Sequence, residues 1–202
     1  MASLPTHRKT ARGAALLLAM CALLIVGMLG LAALQAALQA LKSARLERDR
    51  VLALQAAEAA LDDAQADIEG GADPHSARAA LFGDGSAHGF EPDCGAGGDS
   101  VNRGLCLPAG AGAAPLWQTL DLVEDQHHTV EYGRFSGAHM QTGQGTLPAR
   151  APRYIIELVP LPLAGEDAGA PAGNFYRITA IGFGANVRTR VVLQTYYRKE
   201  VQ

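Results

Sequence analysis

The chain has 202 residues, 49% of them hydrophobic, 5% aromatic and 18% charged, with a formal charge of −3. This excludes a disordered polyionic chain and fits one domain plus an appendage. Three of the basic residues, Arg8, Lys9 and Arg12, lie in residues 1–13, which hold no Asp or Glu; the rest carries 14 basic against 20 acidic side chains. An acidic body without clustered Lys and Arg excludes nucleic acid as an expected partner.

In chain order, the basic residues 1–13 precede an uncharged stretch from Ala14 to Leu41, broken among polar side chains only by Gln35 and Gln39. As a helix these residues reach about 42 Å at about 1.5 Å per residue, more than the roughly 30 Å of a bilayer's hydrocarbon core. The run is too long for the apolar segment of a signal peptide, and core helices of soluble proteins seldom lack a charged face over such a length. Residues 14–41 are therefore expected to span a membrane. Lys42, Arg45, Arg48 and Arg50 beyond the span balance the basic residues before it, so charge alone leaves the orientation open. A long C-terminal portion that holds a cysteine pair favours placing residues 42–202 outside.

The helical pattern continues, since Arg45 to Glu69 lacks Pro and Gly and is rich in strong helix formers. Leu54, Ala57, Leu61, Ala64 and Ile68 step by three and four and predict the stripe that packs on a sheet. Glu58, Asp62, Asp63 and Asp67 are expected on the wet side. Gly70-Gly71 followed by Asp73-Pro74 predicts the stop.

Residues 83–115 read as a Gly-rich loop containing Cys94 and Cys106. A loop of that length needs tying down. A disulfide between the two cysteines is the expected tie in an oxidising compartment, with two unpaired thiols or a metal pair as alternatives. Cys21, in the apolar run, is expected to remain a free, small apolar residue. Trp117 is expected to anchor the core under the loop.

The last third changes to a period near two. Candidate strands are Thr129 to Phe135, Arg153 to Val159, Phe175 to Gly182 and Arg188 to Tyr197, the last two joined by a short hairpin at Gly182 to Asn186. One of Tyr196 and Tyr197 should be buried and the other exposed. The expected fold is α+β: a long N-terminal helix packed on an antiparallel sheet of about four strands.

No constellation for catalysis, cofactor or metal emerges. His75, His88, His127, His128 and His139 match no ligand spacing. Asp84, Asp93 and Asp99 do not follow an EF-hand, so calcium remains a minor alternative to turn-forming aspartates. Ser86 and Ser136 lack a nucleophile elbow, and GAGGDS at Gly95 lacks the lysine of a phosphate-binding loop. The chain is not expected to be an enzyme.

A basic leader ending in Gly13, then an apolar helix continuing as an amphipathic helix under an antiparallel sheet, resembles the type IV pilin architecture. The blocks RGAALLLAM from Arg12, LALQAAEAALDDAQ from Leu52, and YRITAIGFG with VVLQTYYRK from Tyr176 to Lys199 resemble the PilX family of minor pilins. The resemblance covers both ends and leaves Gly70 to about Arg150 unmatched. It implies a leader of residues 1–13 removed by prepilin peptidase after Gly13, methylation of the new first residue Ala14, storage in the inner membrane with the domain in the periplasm, and a place in the pilus fibre at the cell surface. The implied partners are inner-membrane lipid, the major pilin and other minor pilins. Two positions depart from the common pattern: Ala14 stands where Phe or Met is usual, and Leu18 where fibre-forming pilins have glutamate. The expected role is a minor pilin of the priming or tip complex in a Gram-negative envelope. The alternatives are a minor pseudopilin of a type II secretion system and a membrane-anchored periplasmic binding module.

Overall fold

The structure, a computed structural model, describes residues 12–83, 87–95, 100–110, 112–123, 128–160 and 174–199. The described residues fall into two units divided between Glu47 and Arg48. A single helix, α1 (Arg12–Ile68), contributes to both.

In the first unit the large apolar side chains from Leu16 to Leu41 are all exposed. The helix reaches a mean hydropathy of 2.7 over 18 residues and is long and apolar enough to cross a membrane. Hydrophobic all round and unburied within the chain, it needs an apolar surrounding supplied from outside.

The second unit begins with the C-terminal part of α1. The helix ends where Gly70 and Gly71 take positive φ, and their amides return to the carbonyls of Asp67 (3.2 Å) and Ala66 (2.8 Å). These bonds satisfy two of the carbonyls that a helix end otherwise orphans. A one-turn helix follows, α2 (Ala77–Ala80), capped by the Ser76 hydroxyl on the Ala79 amide. Then come β1 (Leu105–Cys106), α3 (Leu116–Thr119), β2 (Val130–Glu131), β3 (Arg153–Pro160), β4 (Asn174–Phe183) and β5 (Arg190–Arg198).

The sheet runs β1-β3-β4-β5, with β2 also paired to β3. All pairings are antiparallel except β1 with β3, which is parallel, so the sheet is mixed where an antiparallel one was expected. The strand β1 lies inside the Gly-rich segment. The expected strand Thr129 to Phe135 shortens to two residues because Gly133 turns the chain at φ +81 and gives its amide to the Asp63 carboxylate. The last strand starts at Arg190, after a hairpin closed by the Gly184 amide on the Thr189 carbonyl.

One face of the sheet packs on α1. Tyr154, Ile156 and Leu158 of β3 and Tyr176, Ile178 and Ala180 of β4 join Ala60, Ala64 and Ile68 in a core completed by Leu105, Phe82 and Phe90. The helix stripe that meets the sheet differs from the expected one. Ile68 is fully buried, Leu61 is partly buried at the edge of the core, and Leu54 is exposed. Ala53, Ala57, Ala60 and Ala64 form the buried line, and Asp63 and Asp67, expected on the wet side, lie on it. The cause is close approach. A Cβ at Gly182 would lie 2.2 Å from the Ala53 carbonyl oxygen and 2.3 Å from the Ala57 amide nitrogen. With the two backbones this near, only alanine fits the helix face, and the larger leucines turn to its flanks.

The sheet's other face is covered too. Ile155, Ile181 and Phe183 pack beneath the disulfide of Cys94 and Cys106 and beneath Leu122, with Leu116, Leu120 and Val123 alongside. The segment expected as a bare loop therefore forms a third layer. Trp117, on the one-turn helix of that layer, is 39% exposed instead of being a core anchor. Tyr196 is exposed and Tyr197 packs against the core, as their alternation requires.

Gly182→Ala should destabilise the second unit by about 3 kcal/mol, the upper end for overpacking, because the obstacle is backbone and cannot rotate away. Denaturant unfolding of the full chain in detergent measures it. Asp62→Ala, on the exposed side of α1, should change stability by less than about 0.5 kcal/mol.

Candidate assembly site

The residues singled out for assembly sit at the start of α1. Gly13 and Ala14 lie in its first turn, and Ala14 and Leu18 are exposed. Residues 1–11, with most of the expected leader, lie outside the described residues. Leu18 is 70% exposed and belongs to the continuous apolar surface of the first unit. Cys21, on the same stretch, is a free, exposed thiol. Ala15, Ala19, Ala22, Gly27 and Gly30 add small residues, and a Cβ at either glycine would meet nothing within 4 Å. Small side chains of this kind let another helix approach closely in an apolar medium.

The second unit holds the polar groups that fix its surface, and sequence reasoning missed most of them. Asp67 is fully buried and pairs with Arg78, whose side chain is 4% exposed. The contact is bidentate, Nε to Oδ1 at 3.0 Å and Nη2 to Oδ2 at 2.6 Å. The Tyr154 hydroxyl donates to the same carboxylate at 3.1 Å. Arg78 Nη1 donates to the carbonyls of Val101 (2.6 Å) and Arg103 (3.0 Å), and its guanidinium lies 4.1 Å from the Phe135 ring centroid. Burial lifts the Tyr154 hydroxyl well above its ordinary pKa, helped by the negative charge of Asp67, so it stays a donor.

One turn earlier, Asp63 accepts the Gly133 amide at 2.8 Å and the Ser136 hydroxyl. Desolvation raises its pKa above the ordinary aspartate value, while the two hydrogen bonds lower it and Asp67 nearby adds to the rise. On the sheet's other face, cross-strand neighbours Glu157 and Arg177 form a second bidentate pair at 2.8 and 2.5 Å, with Glu157 fully buried. That hydrogen bonding raises the Arg177 pKa. These groups hold structure and present no nucleophile with a base.

Cys94 and Cys106 are joined. Cys94 has φ +58, and the Gly104 amide donates to its carbonyl at 2.8 Å, which sets β1 beside β3. Of the expected ligand candidates, His127, Asp84, Asp99, Ser86 and most of GAGGDS lie outside the described residues. His128 Nδ1 lies 2.5 Å from the Asp93 carbonyl oxygen, and Ser136 serves Asp63. Among the described residues no three His, Cys, Asp or Glu side chains gather as metal ligands.

A signal for the buried aspartates was present: Ala53, Ala57, Ala60, Ala64 and Asp67 repeat at three and four as regularly as the leucines do. A sheet contact lined by alanine points to close approach, and polar side chains on that line must then find partners.

The comparison with family models matches residues 102–199 to Type IV pilus assembly protein PilX C-term. Neither a curated protein nor a solved structure matches the chain.

Asp67→Ala should cost about 3–5 kcal/mol, because it strands a buried guanidinium. Denaturant unfolding of the full chain in detergent tests this. Asp63 gives a pH signature of opposite sign to the usual carboxylate. Its folded pKa is raised, so the native state holds the proton longer, and this group's contribution falls as pH rises from the ordinary aspartate value through the raised one. Asp63→Asn retains an acceptor for the Gly133 amide and a donor for Ser136. Relative to the native chain it should gain stability as pH rises from the ordinary aspartate value through the raised one, by about 1.4 kcal/mol per unit of pKa elevation. A stability difference between the two proteins that stays constant across that range would refute the assignment.

Proposed function

We propose that the chain, whose residues 102–199 match the C-terminal model of the PilX family of type IV pilus assembly proteins, acts as a minor pilin. In this reading prepilin peptidase cuts after Gly13, Ala14 becomes the methylated first residue, and the apolar helix waits in the inner membrane with the second unit in the periplasm. The observation that carries it is the helix itself. An apolar half exposed on every side continues without a break into a half whose alanine face is committed to a sheet.

The mechanism is an exchange of surroundings. In the membrane, lipid covers Leu16 to Leu41; during assembly the same surface enters a bundle of neighbouring pilin helices, where the major pilin and other minor pilins replace lipid. The small residues Ala15, Ala19, Ala22, Gly27 and Gly30 favour that replacement by close packing. The disulfide suits an oxidising compartment.

Leu18 supports a place in the priming complex or at the fibre tip. A glutamate there would neutralise the ammonium of an adjacent subunit inside the apolar bundle, where an unpaired charge is costly. Leucine leaves that ammonium unpaired, a cost met once at an end and repeatedly along a shaft.

Intact mass of the membrane-extracted protein should fall by residues 1–13 and rise by one methyl group, and Gly13→Val should leave the leader in place. Deleting the protein should reduce surface pili and leave protein export intact; lost export with normal pili would favour a type II secretion pseudopilin. In sheared fibres its copy number should lie far below that of the main subunit.

A further inference from the structure

The end of the second unit at which α1 enters carries four arginines. Half-buried Asp49, one residue into this unit, accepts the Asn186 amide at 3.2 Å, which seats the turn between β4 and β5 against the helix. Arg48 and Arg50 flank Asp49 on α1; Arg188 lies in the seated turn and Arg190 opens β5. All four are exposed, and none of their guanidinium groups makes a hydrogen bond or ion pair within the described residues. Val187, at the tip of the turn, is 39% exposed. We infer that this end of the unit is a docking surface for anionic phospholipid, with Arg48, Arg50, Arg188 and Arg190 on headgroup phosphates and Val187 at the boundary between headgroups and acyl chains. The inference goes beyond the assembly role and rests on one part of it, the reading of α1 as a membrane span.

The surface is shaped before any lipid arrives. Within the turn the Gly184 amide donates to the Thr189 carbonyl and the Thr189 amide to the Asn186 carbonyl, both at 2.8 Å. The Arg188 amide donates to the Asn186 side-chain oxygen at 3.0 Å. A Cβ at Gly184 would lie 2.8 Å from the Asp49 carbonyl oxygen, so the turn rests directly on the helix backbone. Arg48 and Arg50 are each about 100° around the helix from Asp49, so they pass on either side of the turn. Backbone held in this way loses little freedom on binding, which is the advantage of preorganisation. At the far end of β5, Tyr197 and Lys199 meet Glu69 and Ile68. The arginine end is therefore the one from which the chain runs back to the apolar residues of α1.

Chemistry and tether together select the ligand. Guanidinium forks match phosphate oxygens, and basic residues beside a membrane span are drawn to anionic lipid, each adding a modest share. Arg48 follows Leu41, the last residue of the apolar run, by seven residues, at most about 25 Å of chain. That tether makes docking an intramolecular event in which weak contacts suffice. An exposed valine beside arginines suits the interface, where an apolar side chain enters next to the headgroups while the charges stay with the phosphates. Asp49 is already engaged by the turn. Glu47, one residue before this unit, is exposed and tempers the attraction.

The test reconstitutes the full chain, carrying Cys21→Ser and an NBD fluorophore on Val187→Cys, into vesicles of phosphatidylcholine alone or with phosphatidylglycerol. A lipid with a nitroxide on its headgroup quenches the fluorophore where the two meet, and flotation of the vesicles checks the span. Quenching should be several-fold stronger with phosphatidylglycerol and should weaken as salt rises. Arg48→Glu combined with Arg50→Glu, on a different element from the fluorophore, should abolish the difference between the lipids. Arg48→Lys combined with Arg50→Lys keeps the charge and should keep the difference, and Arg198→Glu, at the far end of β5, should leave it unchanged. Equal quenching in both lipids, a difference that survives R48E with R50E, or the same loss in the lysine pair overturns the docking. Quenching in neither lipid, with surface pili lost from cells carrying R48E and R50E, overturns it in favour of a neighbouring pilus subunit. A chain that floats with neither vesicle overturns the span and the docking together, whereas one that floats with both and quenches equally overturns the docking alone. Intact mass judges leader removal separately.

Discussion

The buried pair of Asp67 and Arg78 ties four separate parts of the second unit to one point. The carboxylate comes from the last turn of α1 and the guanidinium from α2; the tyrosine on the carboxylate is in β3, and the carbonyls on the guanidinium belong to residues 101 and 103. Such a pair adds little stability over an apolar replacement, because removing two charges from water offsets most of their attraction. What it supplies is position. A hydrophobic core tolerates small rotations of its parts, whereas a bidentate fork with three further hydrogen bonds admits one arrangement. The turn bearing Arg103 and the core aromatic Phe135 both take their places from this contact.

The disulfide performs the corresponding task on the other face. The described residues between Cys94 and Val123 hold only a two-residue strand and a one-turn helix, yet they bury Ile155, Ile181 and Phe183. Of their large aliphatic side chains only Leu105 and Leu122 are buried, so burial alone offsets little of the entropy of ordering them. Closing a loop of this length is worth about 3 kcal/mol in the chain-entropy account. Together with the bond from Gly104 to the Cys94 carbonyl, the link holds β1 parallel to β3 and turns a two-layer arrangement into three layers.

The sequence made the long helix, its glycine stop, four of the five described strands and the cysteine link legible, though β2 only in a longer form, because each leaves a local mark: a missing charge, a missing helix breaker, alternation at period two, a spacing. What it concealed depends on distance between segments. Leucines at three and four spacing promised the sheet contact, but Gly182, more than a hundred residues away, decides that only alanine fits there. Asp63 and Asp67 looked like surface charges because their partners, Gly133, Ser136, Arg78 and Tyr154, have no sequence relation to them. The parallel strand β1 was hidden in a glycine-rich stretch too short and too poor in β-branched residues to read as a strand. Gly13, Ala14 and Leu18 are singled out by resemblance alone; physical chemistry marks that region only as apolar.

The alanine and glycine contact between α1 and β4 has a mechanical consequence. Packing between long side chains yields under load by rotamer changes, each absorbing a little displacement. At Gly182 the opposing surfaces are main-chain atoms of Ala53 and Ala57, with no side chain between them to rearrange. A shear along this part of the helix therefore meets a rigid notch, and slipping by one residue would require the helix to lift from the sheet and expose Tyr154, Ile156 and Ile178 to water. The joint is stiff up to the force that opens the core, then fails all at once.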